Sequence, residues 1–270
     1  MELAGYIISL LIGIALGLFG GGGSILTVPV LVYLFRIQPV VATAYSLFIV
    51  GSTSLVGSYP KYKRGEVDLK TAAIFGTSSV AIVYITRAFV LPAIPEHLFN
   101  ISGLTFTKSM LIMLLFAALM IVAALSMIKR SSHAEDSEGK PATFNLSKIL
   151  FQGVLVGFVT AVVGAGGGFL IIPALVILTG LPMKDAVGTS LVIIAANSLI
   201  GFIGDAGHSK MNWMFLLSIT TLAVAGTFIG NILSRKVSGQ HLKKAFGWFV
   251  LAMGVYIFVK ELFFSAAVAY

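Results

Sequence analysis

Two related stretches of this sequence place clusters of glycine between long apolar runs. Residues 13–29 read GIALGLFGGGGSILTVP, and residues 157–173 read GFVTAVVGAGGGFLIIP. In each stretch a proline follows the glycines within the next apolar run. Because glycine adopts backbone angles that other residues avoid, each cluster predicts a break between two helical segments.

The similarity between the two stretches extends along the chain. At an offset of 144 residues, Gly13–Gly57 aligns with Gly157–Gly201 without a gap, and 16 of the 45 positions are identical. Glycine, proline and serine account for 8 of these identities, which a shared apolar composition does not explain. The chain is therefore predicted to consist of two related halves.

The composition indicates a membrane protein. Of the 270 residues, 58% are hydrophobic and 10% are charged, whereas a soluble domain has about 25% charged residues. The mean hydropathy is +1.02. Uncharged runs such as Val40–Tyr59 and Met211–Ser234 are long enough for a helix to cross a bilayer. The N-terminal run lacks a basic flank and has a counterpart in the second half, so we expect a structural segment there, not a cleaved signal peptide.

Each half is predicted to contain five helical segments. They fall at residues 3–19, 25–36, 39–59, 69–91 and 108–128, and at residues 147–164, 169–181, 185–204, 211–233 and 243–263. The second segment of each half is too short to span the bilayer, so we expect it to pair with its predecessor as a helix broken by glycine inside the membrane. The predicted fold is all-α, with residues 1–128 as the first repeat, 129–147 as a polar linker and 148–270 as the second repeat.

The distribution of lysine and arginine predicts the orientation. Basic residues concentrate in the loop after the third segment, in the linker and at residues 234–244, so we place these three regions in the cytoplasm. Residues 92–107 and the loop that contains Asp205, His208 and Lys210 then lie outside. Because each half has an odd number of membrane-crossing units, the repeats are expected to be inverted, with the broken helices at their interface and both termini outside.

The glycine clusters are the main candidates for a binding site. A helix that begins inside the membrane presents free N–H groups and the positive end of its dipole, an arrangement that favours an anion. The alternative is that the glycines serve only close helix packing. The candidate residues at the two breaks are Gly20, Gly21, Gly22, Gly23 and Ser24 in the first half and Gly164, Ala165, Gly166, Gly167 and Gly168 in the second.

Polar side chains of the later segments complete the set of candidates. Ser46 and Ser190 occupy equivalent positions and are able to donate to an oxyanion, although serine in a membrane helix also bonds to its own preceding turn. Asn197 is costly to bury in hydrocarbon, so we expect it to face a cavity or a partner. Arg87 lies near the outer end of the fourth segment, where snorkelling to the interface is the simpler interpretation. Its repeat partner, Asn231, is also polar, which keeps a ligand role open for Arg87.

Several other functions are excluded by the sequence. There is no cysteine, and the four histidines are not spaced as metal ligands, so no metal site or cofactor is predicted. The net charge of +8 comes from basic residues in short loops, which argues against nucleic-acid binding. The glycines do not follow a strand and lack the Lys-Ser/Thr pair of a nucleotide-binding loop. The predicted spans contain no nucleophile–base set, so an enzyme is not expected.

The motifs resemble those of the sulfite exporter TauE/SafE family of membrane permeases. The resemblance rests on the pattern G-x-x-x-G-x-x-G-G-G-G-S-x-x-x-x-P and its counterpart G-A-G-G-G-F-x-x-x-P, with ATAYS at 42–46, AVGTS at 186–190 and GEVD at 65–68. In the second half GEVD is replaced by SKMN at 209–212, so the resemblance gives no role to this turn. The family implies export of sulfite, sulfoacetate, other sulfonates or related small acids across a prokaryotic inner membrane.

The leading hypothesis is a secondary transporter that exports a small anion by alternating access. No Asp or Glu falls in the middle of a predicted span, and an inside-negative potential by itself drives anion exit. The alternatives are an anion-selective channel that uses the same loops as a filter, and a membrane sensor or scaffold that transports nothing. The expected partners are a small anionic substrate and the lipid bilayer, with a homodimer left open.

Overall fold

The computed structural model describes residues 2–19, 24–101, 104–129, 146–206, 211–233 and 239–263. Ten helical segments follow one another along these ranges, and they correspond to the ten segments predicted from the sequence. They are α1 Glu2–Phe19, α2 Ser24–Leu34, α3 Pro39–Lys63, α4 Leu69–Ala93, α5 Lys108–Lys129, α6 Leu146–Val163, α7 Gly168–Thr179, α8 Met183–Ala206, α9 Trp213–Leu233 and α10 Gly239–Phe263.

The helix lengths fit an integral membrane protein. Six helices within the described ranges are long and apolar enough to cross a bilayer, and they are α3, α4, α5, α6, α8 and α9. The helix α7 has 12 residues, which gives about 18 Å of helix and is too short to cross about 30 Å of hydrocarbon. The prediction of an all-α membrane fold with a short second segment in each half is confirmed.

Two helices contain wide turns beside prolines. In α2, the turn Thr27–Pro29 is followed by the π-helical turn Val30–Leu34. In α4, the π-helical turn Thr86–Val90 precedes the turn Leu91–Ala93, which contains Pro92. Proline lacks the N–H that would bond to the preceding turn, and wide turns are often found at functional sites. The wide turn in α4 carries Arg87.

The two halves pack on each other through reciprocal contacts. A methyl group added at Gly13 of α1 would overlap the carbonyl oxygen of Ala223 in α9, and one added at Gly157 of α6 would lie 2.7 Å from the carbonyl oxygen of Ser79 in α4. These two pairs are exchanged by the offset of 144 residues. Close approach of backbones at small residues is a common way to pack helices in membranes.

A second reciprocal pair of contacts fixes the loops before α4 and α9. The backbone N–H of Asp68 donates to the hydroxyl of Thr189 at 2.9 Å, and that of Asn212 donates to the hydroxyl of Tyr45 at 2.7 Å. The Asp68 carboxylate also accepts from the N–H of Lys70 and so caps α4. Asn212 caps α9 in the same way, so Asp68 and Asn212 have equivalent structural roles.

The region between α4 and α5 contains an element that was not predicted. Strand β1 His97–Ile101 pairs with β2 Leu104–Thr107 in an antiparallel hairpin, with His97 opposite Thr107. A loop outside the hydrocarbon has no hydropathy signal to distinguish a hairpin from coil. Residues 130–145 of the predicted linker lie outside the described residues, and the repeat boundaries stay a prediction.

The close packing of α1 and α9 leads to a stability prediction. A methyl group added at Gly226 would overlap the carbonyl oxygen of Leu10, whereas one added at Gly76 of α4 meets nothing within 4 Å. We expect Gly226→Ala to lower the free energy of unfolding by about 1–3 kcal/mol because α1 and α9 must separate. Gly76→Ala is the matched control and is expected to raise it by about 0.5–1 kcal/mol. Thermal unfolding in detergent measures both, and equal effects of the two variants would contradict the packing.

Candidate functional site

The second glycine cluster forms an irregular loop between α6 and α7. Gly164, Gly166 and Gly167 have φ angles of +71°, +68° and +70°, in the left-handed region that favours glycine. The N–H of Gly164 still donates to the carbonyl of Thr160 at 2.9 Å, and the N–H of Ile171 donates to that of Gly167 at 2.9 Å. The predicted break is confirmed at this loop. The first cluster, Gly20–Gly23, lies outside the described residues.

The start of α7 has the chemistry of an anion site. The first N–H groups of a helix have no partner within the helix and carry the positive end of its dipole. The loop residues Gly164, Ala165, Gly166, Gly167 and Gly168 are all buried. The start of α7 therefore lies in the protein interior.

Three polar side chains converge on the glycines of this loop. A Cβ atom at Gly164 would lie 2.8 Å from Nη2 of Arg87, and one at Gly166 would lie 3.0 Å from Oγ of Ser198. A Cβ atom at Gly167 would overlap the hydroxyl of Thr160. All three polar atoms are buried, and none has a hydrogen-bond partner among the described residues. Buried polar atoms are seldom left unpaired, so the cluster is suited to a polar ligand.

Arg87 is completely buried, so the interpretation that it snorkels to the interface is wrong. Its Nη1 donates to Oδ2 of Asp205 at 2.7 Å and to the hydroxyl of Thr43 at 3.0 Å. Asp205 was expected in an outer loop, but α8 continues to Ala206, and Asp205 is only 9% exposed in its last turn. The pair fixes the guanidinium group, and its Nε and Nη2 remain without partners among the described residues.

The other predicted site residues differ in their surroundings. Asn197 is buried and accepts a hydrogen bond from Ser79 at 2.9 Å, while its Nδ2 has no partner among the described residues. Ser46 is buried with its hydroxyl unpaired within the described chain. Ser190 donates to the carbonyl of Val187 in its own helix at 2.8 Å, which is the structural alternative for that residue. Ser24 is fully buried at the start of α2.

A cavity of about 450 Å³ lies between the two halves. It runs from exposed residues at the end of α3 and the start of α8 to buried residues of α1 and α3. Its lining consists of Leu16, Gly17, Leu18, Thr53, Ser54, Gly57, Lys61, Arg64, Glu66, Lys184, Val187, Leu191, Thr227 and Asn231.

The cavity and the buried site around Arg87 are related by the repeat. The offset of 144 residues converts the lining residues Ser54, Lys61 and Asn231 into Ser198, Asp205 and Arg87. One set of positions lines an open cavity, while its counterpart is closed by an ion pair with a buried arginine. The two halves therefore differ in accessibility at these equivalent positions.

Positive charge is concentrated at the mouth of the cavity. Lys61, Arg64 and Lys184 line it together with Glu66, whose carboxylate contacts Lys61 at 2.8 Å and Arg64 at 3.1 Å. Burial alone would raise the pKa of Glu66. The hydrogen bond from Lys61 and the charges of Lys61, Arg64 and Lys184 outweigh this effect and hold the pKa below its ordinary value. Glu66 is thus ionised at neutral pH, and the mouth carries a net positive charge that attracts anions.

The donor set favours an anion over a cation. Among the described residues, no three His, Cys, Asp or Glu side chains come together as a metal site would require. Thr160, Ser198 and Asp205 are not among the site residues predicted from the sequence. The repeat held a signal for two of them, since Ser198 is identical to Ser54 and Asp205 aligns with Lys61 at the cavity mouth.

The fold and the site define a polytopic membrane protein with a polar cavity between two halves, which is the architecture of a transporter. Residues 6–257 match the sulfite exporter TauE/SafE family, and the chain belongs to this family. It is thus a multi-pass membrane transporter.

Several curated relatives resemble the chain over most of its length. A "Probable membrane transporter protein" of Xylella fastidiosa (strain Temecula1) is 30% identical over 251 residues, which cover 92% of this chain and 91% of the relative. YunE of Bacillus subtilis, with the same description, is 27% identical, with coverage of 86% and 88%. MJ0441 of Methanocaldococcus jannaschii, also so described, is 25% identical, with coverage of 93% for both chains. No solved structure matches the chain.

The buried ion pair leads to a prediction about stability. In Asp205→Asn, the guanidinium of Arg87 would remain buried without its counter-charge, so we expect a loss of about 3–5 kcal/mol in the free energy of unfolding. The double variant Arg87→Met/Asp205→Asn removes both charges and should recover most of this loss. Thermal unfolding in detergent tests the comparison. Equal unfolding temperatures for Asp205→Asn and the wild type would contradict the buried pair.

Proposed function

We propose that the protein is a secondary transporter that exports a small organic or sulfur-containing anion, such as sulfite, sulfoacetate or another sulfonate, by alternating access. The observation that carries the proposal is the repeat-related pair of polar regions, of which one is an open cavity and the other is closed around Arg87. A carrier needs two gated routes to one site, and two related halves in different states provide them.

The chemistry of the second glycine loop supports an anionic cargo. The buried atoms Nη2 of Arg87, Oγ of Ser198 and Oγ1 of Thr160 surround the start of α7, and none has a partner in the described chain. A sulfonate or carboxylate has several acceptor oxygens that would satisfy these groups together with the N–H groups of the helix start. The name of the family points to sulfite within this class of anions.

The charge distribution supports an orientation in a prokaryotic inner membrane. The mouth of the cavity carries Lys61, Arg64 and Lys184, and basic loops lie in the cytoplasm in most membrane proteins. The cavity would then open to the cytoplasm, and the ion pair of Arg87 with Asp205 would close the outer side. An odd number of membrane-crossing units in each of the repeats 1–128 and 148–270 would make the repeats inverted, place the linker 129–147 inside and leave both termini outside.

Alternating access gives the buried ion pair a specific role. To release cargo outside, α4 and α8 must move apart at Arg87 and Asp205, while the cavity between α1, α3 and α9 closes. The anion competes with Asp205 for the guanidinium and so helps to separate the pair. An anion channel would instead require a continuous water-filled path past Arg87 in its open state.

The direction of transport follows from the membrane potential. An inside-negative potential favours the exit of a monovalent anion by about 2.3 kcal/mol for each 100 mV. Among the described residues, the only carboxylate at the second glycine loop is that of Asp205, which is paired with Arg87. Export therefore needs no proton-carrying residue, whereas accumulation inside the cell would need a coupling ion.

Transport and binding assays with a serine variant test the proposal. The Ser198 hydroxyl has no partner within the described chain, so Ser198→Ala should fold normally and weaken anion binding by about tenfold, the effect of one lost hydrogen bond. The control Ser58→Ala removes a hydroxyl that bonds to Leu55 of its own helix and should bind as the wild type. Sulfite, sulfoacetate and acetate are screened by thermal shift and then by flux into proteoliposomes.

The outcomes separate the alternatives. Saturable flux of labelled substrate that is accelerated by substrate on the opposite side of the membrane supports the carrier. Single-channel currents would contradict the carrier in favour of a channel. No flux and no thermal shift with any of the three anions would contradict transport of this class of cargo. Unchanged binding in a folded Ser198→Ala variant would remove the second glycine loop as the site.

A further inference from the structure

The mouth of the cavity contains a carboxylate that occupies the position expected for a bound anion. Oε2 of Glu66 accepts from Nζ of Lys61 at 2.8 Å, and Oε1 of Glu66 lies 3.1 Å from Nε of Arg64. All three side chains line the cavity. One carboxylate with an oxygen on each of two cations has the geometry that a free carboxylate or sulfonate would adopt between them.

The backbone that carries Glu66 is held firmly in place. Gly65 has a φ of +73°, its N–H donates to the carbonyl of Tyr62 at 3.0 Å, and the N–H of Glu66 donates to that of Lys61 at 3.1 Å. These two bonds form the Schellman motif that closes α3. Two residues later, the N–H of Asp68 is bonded to Thr189 of α8. Rotation of the Glu66 side chain is therefore the simplest way to free the two cations.

The side chains at the mouth are exposed enough for such an exchange. The exposed fractions of the Lys61, Arg64 and Glu66 side chains are 20%, 33% and 22%. Ion pairs with this exposure contribute little net free energy, because water and salt compete with them. A soluble anion is therefore able to replace the carboxylate at a small cost, in contrast to the buried carboxylate of Asp205.

The repeat supports the same distinction between the two sides. Lys61 corresponds to Asp205 at the offset of 144 residues, and Asn231 corresponds to Arg87. On the closed side, both charges belong to helices and satisfy each other. On the open side, the helices supply a cation and an amide, and the only carboxylate that contacts Lys61 in the described chain comes from the adjoining loop. The open side thus has a cationic position whose counter-charge is replaceable.

We propose that Lys61 and Arg64 form the first binding position for the cargo, an oxyanion of the carboxylate or sulfonate class, and that Glu66 holds this position until the cargo displaces it. This inference rests on the proposed function, because it assumes that the cavity receives an anion. Glu66 is a competitor built into the protein. It keeps Lys61 and Arg64 from retaining chloride or phosphate, and it sets the concentration at which cargo enters the cavity.

Binding of methanesulfonate to the purified full-length protein tests the proposal. Glu66→Gln keeps the size of the side chain and removes the competing charge, so the apparent Kd should fall about three- to tenfold, as expected when two partly exposed ion pairs no longer compete. Glu66→Asp keeps the charge on a shorter side chain and should give a Kd between those of the wild type and Glu66→Gln. Titration calorimetry in detergent measures all three.

Two matched controls separate the local effect from the general effect of charge. Asp185→Asn removes a carboxylate beside Lys184 that does not line the cavity, and its Kd should stay within twofold of the wild-type value. Lys61→Gln removes a cation of the proposed binding position and should weaken binding at least tenfold. Lys63→Gln removes a charge two residues away, where the ammonium lies 4.8 Å above the ring of Tyr59, and should have little effect.

The results distinguish failure of this inference from failure of the proposed function. If the wild type binds methanesulfonate and neither Glu66 variant changes the Kd, the role of Glu66 as competitor is wrong and the transporter proposal stands. Equal tightening in Glu66→Gln and Asp185→Asn would also overturn it in favour of a general charge effect. If the wild type and Glu66→Gln both bind neither methanesulfonate nor acetate, an anion-receiving cavity is wrong, and the proposed function fails with it.

Discussion

A helix that breaks inside hydrocarbon must find partners for its backbone polar groups within the protein. In this chain the second break has three glycines in the left-handed region, and the loop is buried against α3, α4 and α8. The absence of side chains lets the surrounding helices approach closely enough to bring Arg87, Ser198 and Thr160 onto the loop. The packing that permits the break therefore also assembles the polar groups of the candidate site.

The repeat gives this architecture two versions with different charges. In the closed version, Arg87 and Asp205 neutralise each other in the protein interior. In the open version, the equivalent positions carry Asn231 and Lys61, and the cavity has a basic mouth. Removing one partner of a buried pair is costly, whereas a partly exposed lysine exchanges partners readily. In the proposed carrier, this asymmetry would close one side firmly and leave the other side open to an anion.

Much of the fold was predictable because membrane helices have a strong sequence signal. Apolar runs gave the ten helices, glycine clusters gave the break at Gly164–Gly168, and the offset of 144 residues gave the relation between the halves. The position of Arg87 was not predictable, because snorkelling and pairing depend on whether Asp205 lies in the helix or beyond it. The convergence of Thr160 and Ser198 on the loop is a tertiary contact with no local pattern, and the hairpin after α4 lies outside the membrane signal.

Accessibility of two repeat-related residues gives the most direct measurement of alternating access. Val187 lines the cavity and is partly exposed, whereas Thr43, its counterpart at the offset of 144 residues, is fully buried beside Arg87. The chain contains no cysteine, so Val187→Cys and Thr43→Cys each introduce a single thiol. We expect a membrane-impermeant thiol reagent to label Val187→Cys from the cytoplasmic side and to leave Thr43→Cys unlabelled. A transported anion should reduce labelling of the first variant and expose the second to reagent from outside. Labelling of both positions at once from opposite sides, with no response to any anion, would contradict alternating access.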